Sequence, residues 1–321
     1  MTQNSVSTST VARSSQRQLN FFDIMFEEEN VSIKKFEENS RVERTWLFID
    51  GNNLLNRAYF ATAQRLKKAP DGRYTNAVEL FMKMMLKHVT ELNAQVAVMF
   101  DDGKGFRKEL YPAYKEGRSE SPPELDAQFP VIREVLETVG IPVFSSSTYE
   151  ADDLIASAIR QVKGDVYILS NDKDLYQVIS ERVTNIVRKQ STDIYMTPAL
   201  FAETYGGLQP QQIVDLKALE GDPSDNIPGV NGIGIKGALK LIQAFSSVEG
   251  LIAANEFPQN LKRYQEKIEN GKKDALFAKE LTTLRMDIPL TLSEYQINKQ
   301  SGIEICETLA MYPVIKFLKN C

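Results

Sequence analysis

The sequence is poor in the residues on which several common catalytic sites depend. It contains one histidine, His88, and two cysteines, Cys306 and Cys321, in 321 residues. One histidine cannot build a histidine-rich metal site, and His88 follows an apolar stretch that predicts an ordinary helix position. The two cysteines offer neither a disulfide framework nor zinc-ligand spacing, which favours a reduced, intracellular setting. A catalytic metal would therefore need oxygen ligands, which selects magnesium or manganese.

Excess positive charge and long apolar runs are also missing. The chain has 38 basic and 43 acidic residues and a formal net charge of −5, so bulk charge does not hold it on nucleic acid. No apolar run approaches the length of a membrane span, and no membrane partner is expected. Residues 1–20 lack acids and contain two arginines, a weak likeness to an organelle transit peptide. We expect a cytoplasmic monomer of a bacterial or phage-infected cell, with organelle targeting as the less favoured alternative.

Apolar runs alternate with helical periodicity in the first two thirds of the chain. The predicted strands are residues 46–49, 96–100, 141–144 and 166–169, and the predicted helices are residues 76–92, 129–138 and 152–162. This order predicts an α/β fold with a mostly parallel central sheet and helices on both faces. We expect a flexible extension over residues 1–44, the α/β core over residues 45–196 and a helical region over residues 197–321.

Acidic residues follow the ends of all four predicted strands. They are Asp50, Asp101, Glu150, Asp152, Asp153, Asp172 and Asp174. One such residue is often only a helix cap, but ligands of open parallel sheets lie at this edge. Asp222 and Asp225 add two acids in a Pro/Gly-rich loop. Two carboxylates about 4 Å apart repel by ~4 kcal/mol at an effective dielectric near 20. The set therefore predicts two divalent cations, which suit phosphodiester hydrolysis.

Two further segments are suited to nucleic acid. Basic and aromatic side chains alternate between residues 103 and 118, and they include Lys104, Arg107, Lys108, Tyr111, Tyr114, Lys115 and Arg118. Bases can neutralise phosphates while aromatic rings stack on unpaired bases, although a solvated helix would show the same pattern. A glycine turn between helical segments contains Gly232, Gly234 and Lys236. It predicts a helix-hairpin-helix that binds duplex backbone without reading sequence.

The motifs Phe48-Ile-Asp-Gly-Asn-Asn, Tyr149-Glu-Ala-Asp-Asp, Ser170-Asn-Asp-Lys-Asp-Leu and Gly221-Asp-Pro-Ser-Asp-Asn-Ile-Pro-Gly-Val resemble the 5′-nuclease family. That family contains the N-terminal domain of bacterial DNA polymerase I and the phage and stand-alone bacterial 5′–3′ exonucleases. The similarity runs from about residue 47 to beyond residue 290, and the stand-alone form is the one that the chain resembles.

The resemblance implies a function and roles for particular residues. It implies a 5′–3′ exonuclease and flap endonuclease that also removes RNA primers, with DNA 5′ ends, flaps and RNA/DNA hybrids as partners. The nine acids would hold two Mg²⁺ ions, for which Mn²⁺ can substitute. Lys115 and Arg118 would contact the scissile phosphate from a helical arch at about residues 103–127. Lys83 matches a basic helix position, and the Gly232–Gly234 hairpin would bind duplex with K⁺.

The sequence departs from the family pattern at two places and contains one motif outside the family region. The segment after Asp101 is one residue short, so Asp102 is an alternative ligand, although Asp101 is favoured. In the hairpin, Asn231 and Ile235 stand where charge is common, which predicts weaker phosphate affinity there. Outside the family region, the peptide Gln18, Leu19, Asn20, Phe21 and Phe22 resembles those that bind bacterial sliding clamps. A helix packed on the body is the alternative for that segment.

Two other functions fit part of the pattern. A PIN-type ribonuclease shares carboxylates at strand ends but usually lacks the hairpin region. A structure-specific DNA-binding protein without catalysis would bind the same substrates, although nine acids beside DNA phosphates argue against it. Cleavage of flap DNA, compared with structured RNA, separates these functions.

Overall fold

A six-stranded sheet forms the centre of the protein. The computed structural model describes residues 44–103, 105–293 and 295–320, apart from the side chain of Asn320. The strand order is β3-β2-β1-β4-β5-β6. The strands are β1 (Trp46–Asp50), β2 (Gln95–Asp101), β3 (Val143–Ser146), β4 (Val166–Leu169), β5 (Val183–Lys189) and β6 (Thr192–Met196). The first five are parallel and β6 is antiparallel to β5, which confirms the mostly parallel sheet.

Helices connect the strands and continue after the sheet. Through the α/β core they are α1 (Gly51–Thr62), α2 (Asn76–Leu92), α3 (Gly105–Leu110), α4 (Pro123–Asp126), α5 (Gln128–Val139) and α6 (Ala151–Gln161). After the sheet come α7 (Pro198–Thr204), α8 (Ile213–Glu220), α9 (Ile235–Phe245), α10 (Val248–Ala253), α11 (Gln265–Thr282), α12 (Lys299–Thr308) and α13 (Tyr312–Asn320). A short antiparallel pair, β7 (Gly221–Asp222) and β8 (Ile227–Pro228), lies between α8 and α9. In the described part of the chain, no helix is both long and apolar enough to span a membrane.

Both faces of the sheet are buried, as predicted. Alternate residues of β1 point to opposite faces, so Leu47 and Ile49 belong to one apolar cluster, and Trp46 and Phe48 belong to another. The first cluster includes side chains of α1, α2 and α5, and the second includes those of α6. Helices on both faces leave the strand ends as the accessible edge of the sheet.

Two elements of the sheet differ from the sequence expectation. The third strand begins at Val143 rather than at residue 141, because Pro142 has no amide hydrogen for a strand ladder. The hairpin of β5 and β6 was not predicted. In β5, Val183, Ile186 and Val187 are mixed with polar residues, so no apolar run marks that strand.

The helices after the sheet form two groups. Side chains of α7 to α11 build their own apolar cluster, which agrees with a helical C-terminal region. By contrast, Leu309, Val314 and Leu318 of the last segment join Phe81 and Val135 in the first core cluster. The helices α12 and α13 therefore cover the α/β core, although the sequence expectation grouped them with the helical region.

Candidate active site

Three aspartates lie at one edge of the sheet. Asp50 ends β1 and caps α1, because its Oδ1 accepts a hydrogen bond from the backbone amide of Asn53 at 2.9 Å. Its Oδ2 accepts a hydrogen bond from the hydroxyl of Ser170 at 2.9 Å. Asp101 ends β2, and Asp172 follows β4. Since β1 pairs in parallel with both β2 and β4, these carboxyl groups share one end of the sheet.

The first turn of α6 brings more acids to this edge. Glu150 and Asp153 form a reciprocal capping box, in which each side chain accepts a hydrogen bond from the other residue's backbone amide. Asp101 Oδ1 accepts a hydrogen bond from the backbone amide of Ala151 at 2.7 Å, which ties α6 to the end of β2. A pocket of about 290 Å³, called the acid pocket here, is lined by Asp50, Asp101, Glu150, Asp152 and Asp172, with Lys115 and Arg118 beside them.

The carboxylates of Asp152, Asp172 and Asp174 could hold a metal ion together. One oxygen of each lies within 4.8 Å of the others. Asp152 Oδ1 is buried and has no hydrogen-bond partner within the described ranges. All the donors are oxygen atoms, the ligands that Mg²⁺ and Mn²⁺ prefer. This group therefore fits a divalent cation.

A second group of acids includes a basic residue of the chain itself. One oxygen each of Asp174, Asp222 and Asp225 lies within 4.8 Å of the others. Ser224 donates to Asp222 Oδ1 from its amide at 2.9 Å and from its hydroxyl at 2.6 Å. Lys217 of α8 contacts Asp174 and donates to Asp222 Oδ2 at 2.7 Å. Its ammonium group therefore neutralises part of the charge that a second cation would neutralise.

Burial and crowding raise several pKa values in the cluster. Burial raises the pKa of Asp50 to about 7, and the charges of neighbouring aspartates add to the shift. Burial also raises the pKa of Asp174 to about 7, although Lys217 opposes the shift. The pKa of Asp152 is raised well above its usual range, first by burial and then by Asp172. Such acids take up protons near neutral pH unless cations compensate their charge.

Asp153 lies in neither of these two groups of acids, and its expected role as a metal ligand stays a prediction. Arg107 of α3 donates to its two oxygens at 2.6 and 2.8 Å, and the amide of Arg285 donates at 2.8 Å. Arg107 is 3% exposed and also donates to the carbonyl groups of Leu281 and Thr283. The expected contact of Arg107 with nucleic acid is corrected. This buried pair holds α3 against α6 and the end of α11.

Lys115 and Arg118 reach the acids, as their predicted role requires. Lys115 Nζ donates to Glu150 Oε1 at 2.5 Å. Arg118 forms an ion pair with Asp225, and its Nε donates to the carbonyl oxygen of Ser224 at 3.1 Å. The structure therefore brings both side chains beside the predicted metal ligands.

Three neighbouring residues that were predicted to contact nucleic acid, Lys108, Tyr111 and Tyr114, form contacts within the protein. Tyr114 is 3% exposed, and its hydroxyl lies 3.0 Å from Glu150 Oε2 and 2.9 Å from Asp225 Oδ2. Lys108 donates to the carbonyl group of Tyr114 at 2.9 Å, and Tyr111 packs edge-on against an aromatic ring of α11. Since its ring is buried, Tyr114 cannot stack on a base, which corrects that expectation. Instead its hydroxyl group hydrogen-bonds to Glu150 and Asp225 and links the basic segment to the acids.

The geometry separates Asp101 from its alternative, Asp102. Asp101 lines the acid pocket. Asp102 is exposed outside that pocket, and its Oδ2 accepts a hydrogen bond from the hydroxyl of Ser145 at 3.3 Å. The structure therefore favours Asp101 as the ligand, in agreement with the preference from sequence.

Lys83 lies apart from the acids. It is exposed on α2, and it lines neither the acid pocket nor the two clefts beside it. The structure therefore gives no support to the expected catalytic role, which stays a prediction.

The glycine hairpin lies at the start of α9. Gly232, Gly234 and Lys236 are exposed there, and Gly232 has a φ of 76° that favours glycine. Its carbonyl oxygen accepts a hydrogen bond from Lys267 Nζ at 2.8 Å. A cleft of about 620 Å³ runs from Asp172 past Lys217 to Ile235. It connects the acids with the region of the hairpin.

Five predicted residues lie outside the described residues. They are Lys104 and the clamp-binding residues Gln18, Leu19, Phe21 and Phe22. Clamp binding therefore stays a prediction.

Sequence reasoning missed Lys217 and the asparagines that follow the first strand. Asn52 Oδ1 accepts a hydrogen bond from the amide of Asp101 at 3.0 Å, and Asn53 Oδ1 accepts one from the amide of Asn171 at 3.1 Å. These amides join the ends of three strands. Their position directly after Asp50 was the available signal, whereas a lysine within a helix gives none.

The chain also matches known proteins in sequence. Residues 45–206 match the model of the 5′-3′ exonuclease N-terminal resolvase-like domain, and residues 208–302 match that of the 5′-3′ exonuclease C-terminal SAM fold. The chain belongs to the 5′-3′ exonuclease family. This confirms the resemblance found in the motifs, and it agrees with a sheet-based core followed by helices.

The relatives that match this chain differ in length. A 5′-3′ exonuclease of Halalkalibacterium halodurans is 36% identical over 265 residues, which cover 78% of this chain and 87% of the relative. DNA polymerase I of Bacillus subtilis is 40% identical over 284 residues, or 85% of this chain and 32% of the polymerase. The chain thus spans less than a third of that polymerase.

Solved structures show the same fold at lower identity. T5 5′-exonuclease with bound divalent metal ions (zinc) has a TM-score of 0.63 and 22% identity, covering 86% of this chain and 98% of that one. The catalytic core of Rad2 in complex with DNA substrate has a TM-score of 0.59 and 14% identity, covering 87% and 92%. At these identities the likeness shows the fold.

Proposed function

We propose that this exonuclease-family chain is a magnesium-dependent 5′-nuclease that hydrolyses DNA at free 5′ ends and at 5′ flaps. One observation carries the proposal: Asp152, Asp172 and Asp174 place oxygens within 4.8 Å of one another, and Lys115 and Arg118 line the same edge. Carboxylates that bind metal beside two bases provide what phosphodiester hydrolysis requires. Membership of the 5′-3′ exonuclease family supports the direction of attack.

Five of the acids form two sets of candidate metal ligands, and Asp50, Asp101 and Glu150 line the pocket beside them. When bound, two Mg²⁺ ions would polarise the scissile phosphate, lower the pKa of the attacking water and stabilise the leaving oxygen. Asp152, Asp172 and Asp174 would hold one ion, and Asp174, Asp222 and Asp225 the other. Mn²⁺ prefers similar ligands and would substitute. The unpartnered Asp152 Oδ1 supports this assignment, since buried oxygens are rarely left without a partner.

The two bases would hold the phosphate in place. Lys115 and Arg118 contact Glu150 and Asp225 in the structure. A phosphate would draw both cations toward its own oxygens, because charge-assisted hydrogen bonds to an anion are strong. Tyr114 would keep Glu150 and Asp225 in position through its hydroxyl. In this scheme the protein supplies no nucleophile.

The C-terminal helices would bind the duplex part of the substrate. Gly232, Gly234 and Lys236 expose backbone and an ammonium group at the start of α9, where helix amides attract phosphate. A K⁺ ion at this hairpin is part of the proposal, as is cleavage of RNA in RNA/DNA hybrids. The cleft between the acids and Ile235 offers a route from the hairpin to the metals.

Cleavage of a fluorescent 5′-flap duplex tests the proposed function. We expect cleavage in Mg²⁺ and none in EDTA. Asp172→Asn should lower the rate by about 100-fold or more, equivalent to ~2.7 kcal/mol of transition-state stabilisation. Asp101→Asn should do the same, whereas the matched control Asp102→Asn should retain the wild-type rate.

Three results would overturn the proposal. Equal rates for Asp172→Asn and wild type would remove the carboxylates from catalysis. Cleavage of structured RNA without cleavage of flap DNA would favour a PIN-type ribonuclease. Binding in EDTA without cleavage after Mg²⁺ addition would indicate a structure-specific DNA-binding protein.

A further inference from the structure

A large cleft adjoins the acid pocket and has no part in the chemistry proposed above. It has a volume of about 640 Å³ and lies between α1, α2 and the β5–β6 hairpin. Asn53 and Asn56 line both this cleft and the acid pocket. Since β5 is parallel to β4, its end lies at the same edge of the sheet as Asp172. The cleft therefore continues the acid pocket along that edge.

The charge of the cleft is opposite to that of the acid pocket. Arg57, Lys87 and Arg188 line it, with Asp193 as the acidic residue among the lining side chains. Asp193 is shared, because Arg188 donates to its Oδ1 at 2.7 Å and Lys87 to its Oδ2 at 2.9 Å. Glu91, outside the lining, lies 3.9 Å from Lys87, and these two carboxylates do not neutralise three bases. The cleft is therefore suited to an anion, although the chain as a whole is acidic.

Arg57 gives independent evidence of a ligand. Its Nη1 is buried and lacks a hydrogen-bond partner in the described part of the chain. Arg57 as a whole is half-buried, but a buried donor atom without an acceptor is uncommon and requires an explanation. A phosphate oxygen in the cleft would supply the missing acceptor. Arginine suits this ligand because its planar group matches phosphate geometry.

The remaining lining residues suit the sugar and base of a nucleotide. Phe60 of α1 is 66% exposed and lines the cleft, and an exposed aromatic ring can stack on an unpaired base. Asn56 and Asn171 offer amide groups that donate and accept hydrogen bonds. The volume lies within the range of small-molecule sites, about 300–1,000 Å³. One aromatic platform beside basic side chains fits one nucleotide unit.

We propose that this cleft holds a nucleotide that neighbours the scissile phosphodiester in the substrate strand. Its phosphate lies against Arg57 and Arg188, and its base stacks on Phe60. The shared Asn53 and Asn56 guide the strand from the acid pocket into the cleft. This inference rests on the proposed function for its choice of a nucleic-acid strand, while the binding site itself does not require catalysis.

Calorimetric titration of the full chain in EDTA tests the site without metal or cleavage. The probes are thymidine 5′-monophosphate, thymidine and inorganic phosphate. We expect the nucleotide to bind at least about tenfold more tightly than the nucleoside or phosphate, because it uses both the bases and Phe60. Arg188→Ala should weaken nucleotide binding about tenfold or more. Phe60→Ala should weaken it about tenfold, and its exposed position means that folding is not at risk.

The neighbouring residue of β5 provides the matched control. Lys189 is exposed, does not line the cleft, and points to the opposite face of the strand from Arg188. Lys189→Ala should bind the nucleotide as wild type does. With 5′-flap DNA in Mg²⁺, Phe60→Ala should raise KM several-fold and leave kcat unchanged.

The outcomes separate this site from the proposed nuclease. Failure of the wild type to bind the nucleotide would overturn the site, even if flap DNA is cleaved. Wild-type binding by both Arg188→Ala and Phe60→Ala would overturn it too, and so would equal affinity for phosphate and nucleotide. Nucleotide binding without any cleavage by the wild type would refute the nuclease and leave the site standing.

Discussion

Replacing Asp152 and Asp153 by asparagine, one at a time, makes the same chemical change at adjacent positions of α6. Asp153 is fully buried and accepts two hydrogen bonds from Arg107. Asparagine would leave that guanidinium group poorly compensated, and breaking a buried ion pair costs about 3–5 kcal/mol. We therefore expect Asp153→Asn to lower the free energy of unfolding by about this amount.

The same change at Asp152 should have the opposite effect in EDTA. One of its oxygens lies within 4.8 Å of one oxygen each of Asp172 and Asp174, where two charges repel by ~3.5 kcal/mol at an effective dielectric of about 20. Burial raises its pKa well above the usual range, so uptake of a proton relieves part of this repulsion. We expect Asp152→Asn to gain about 1–3 kcal/mol of stability at pH 8.

Urea unfolding in EDTA and in Mg²⁺ measures both effects. Metal that binds the folded state alone adds stability in proportion to its affinity. Wild type and Asp153→Asn should gain stability from Mg²⁺, whereas Asp152→Asn should gain much less. The exposed control Asp102→Asn should stay within about 0.5 kcal/mol of wild type in both conditions. If Asp153→Asn were stable in EDTA and lost its response to Mg²⁺, the assigned roles would be refuted.

Three further predictions concern the charges around the acids. Lys217→Met should destabilise the protein in EDTA. It should also tighten Mn²⁺ binding measured by calorimetry, because a cation that competes for Asp174 is removed. Unchanged Mn²⁺ affinity would contradict this prediction. Asp50 and Asp174 have pKa values raised to about 7, so their ionisation lowers the stability of the folded protein above pH 7. Urea unfolding in EDTA should therefore show that the free energy of unfolding rises as the pH falls from 8 to 6. A flat profile would refute that reasoning. In flap cleavage, Lys115→Ala should lower kcat about 100-fold or more, whereas Lys83→Ala should match wild type; a large loss in Lys83→Ala would support its catalytic role.

The sheet and most of its acids could be predicted because the signals are local. Short apolar runs marked β1, β2 and β4, and the acids that follow them meet because parallel strands end at one edge. The helical period likewise gave α2 at residues 76–92, as the structure has it. The strand β5 escaped because its polar residues, including Asn185 and Arg188, interrupt the apolar pattern.

Pairings across the chain could not be read in this way. Arg107 and Asp153 are 46 residues apart, and neither position carries a mark of burial in the sequence. A basic segment with aromatic residues predicts contact with phosphate, but packing put Tyr114 inside the protein. Lys217 has no local signal either, since a lysine in a helix usually faces solvent. The sequence therefore predicts which residue types come together, but not which of them pair with each other inside the protein.

Three bases form ion pairs with acids of the site, and these pairs affect the free energies of metal and DNA binding. The pairs are Lys115 with Glu150, Arg118 with Asp225, and Lys217 with both Asp174 and Asp222. Metal binding exchanges one set of cations for another, so its affinity should depend only weakly on ionic strength. Each basic group displaced from a carboxylate becomes available to a phosphate. Metal and DNA should consequently bind with positive cooperativity, and by linkage each should raise the affinity of the other by the same factor.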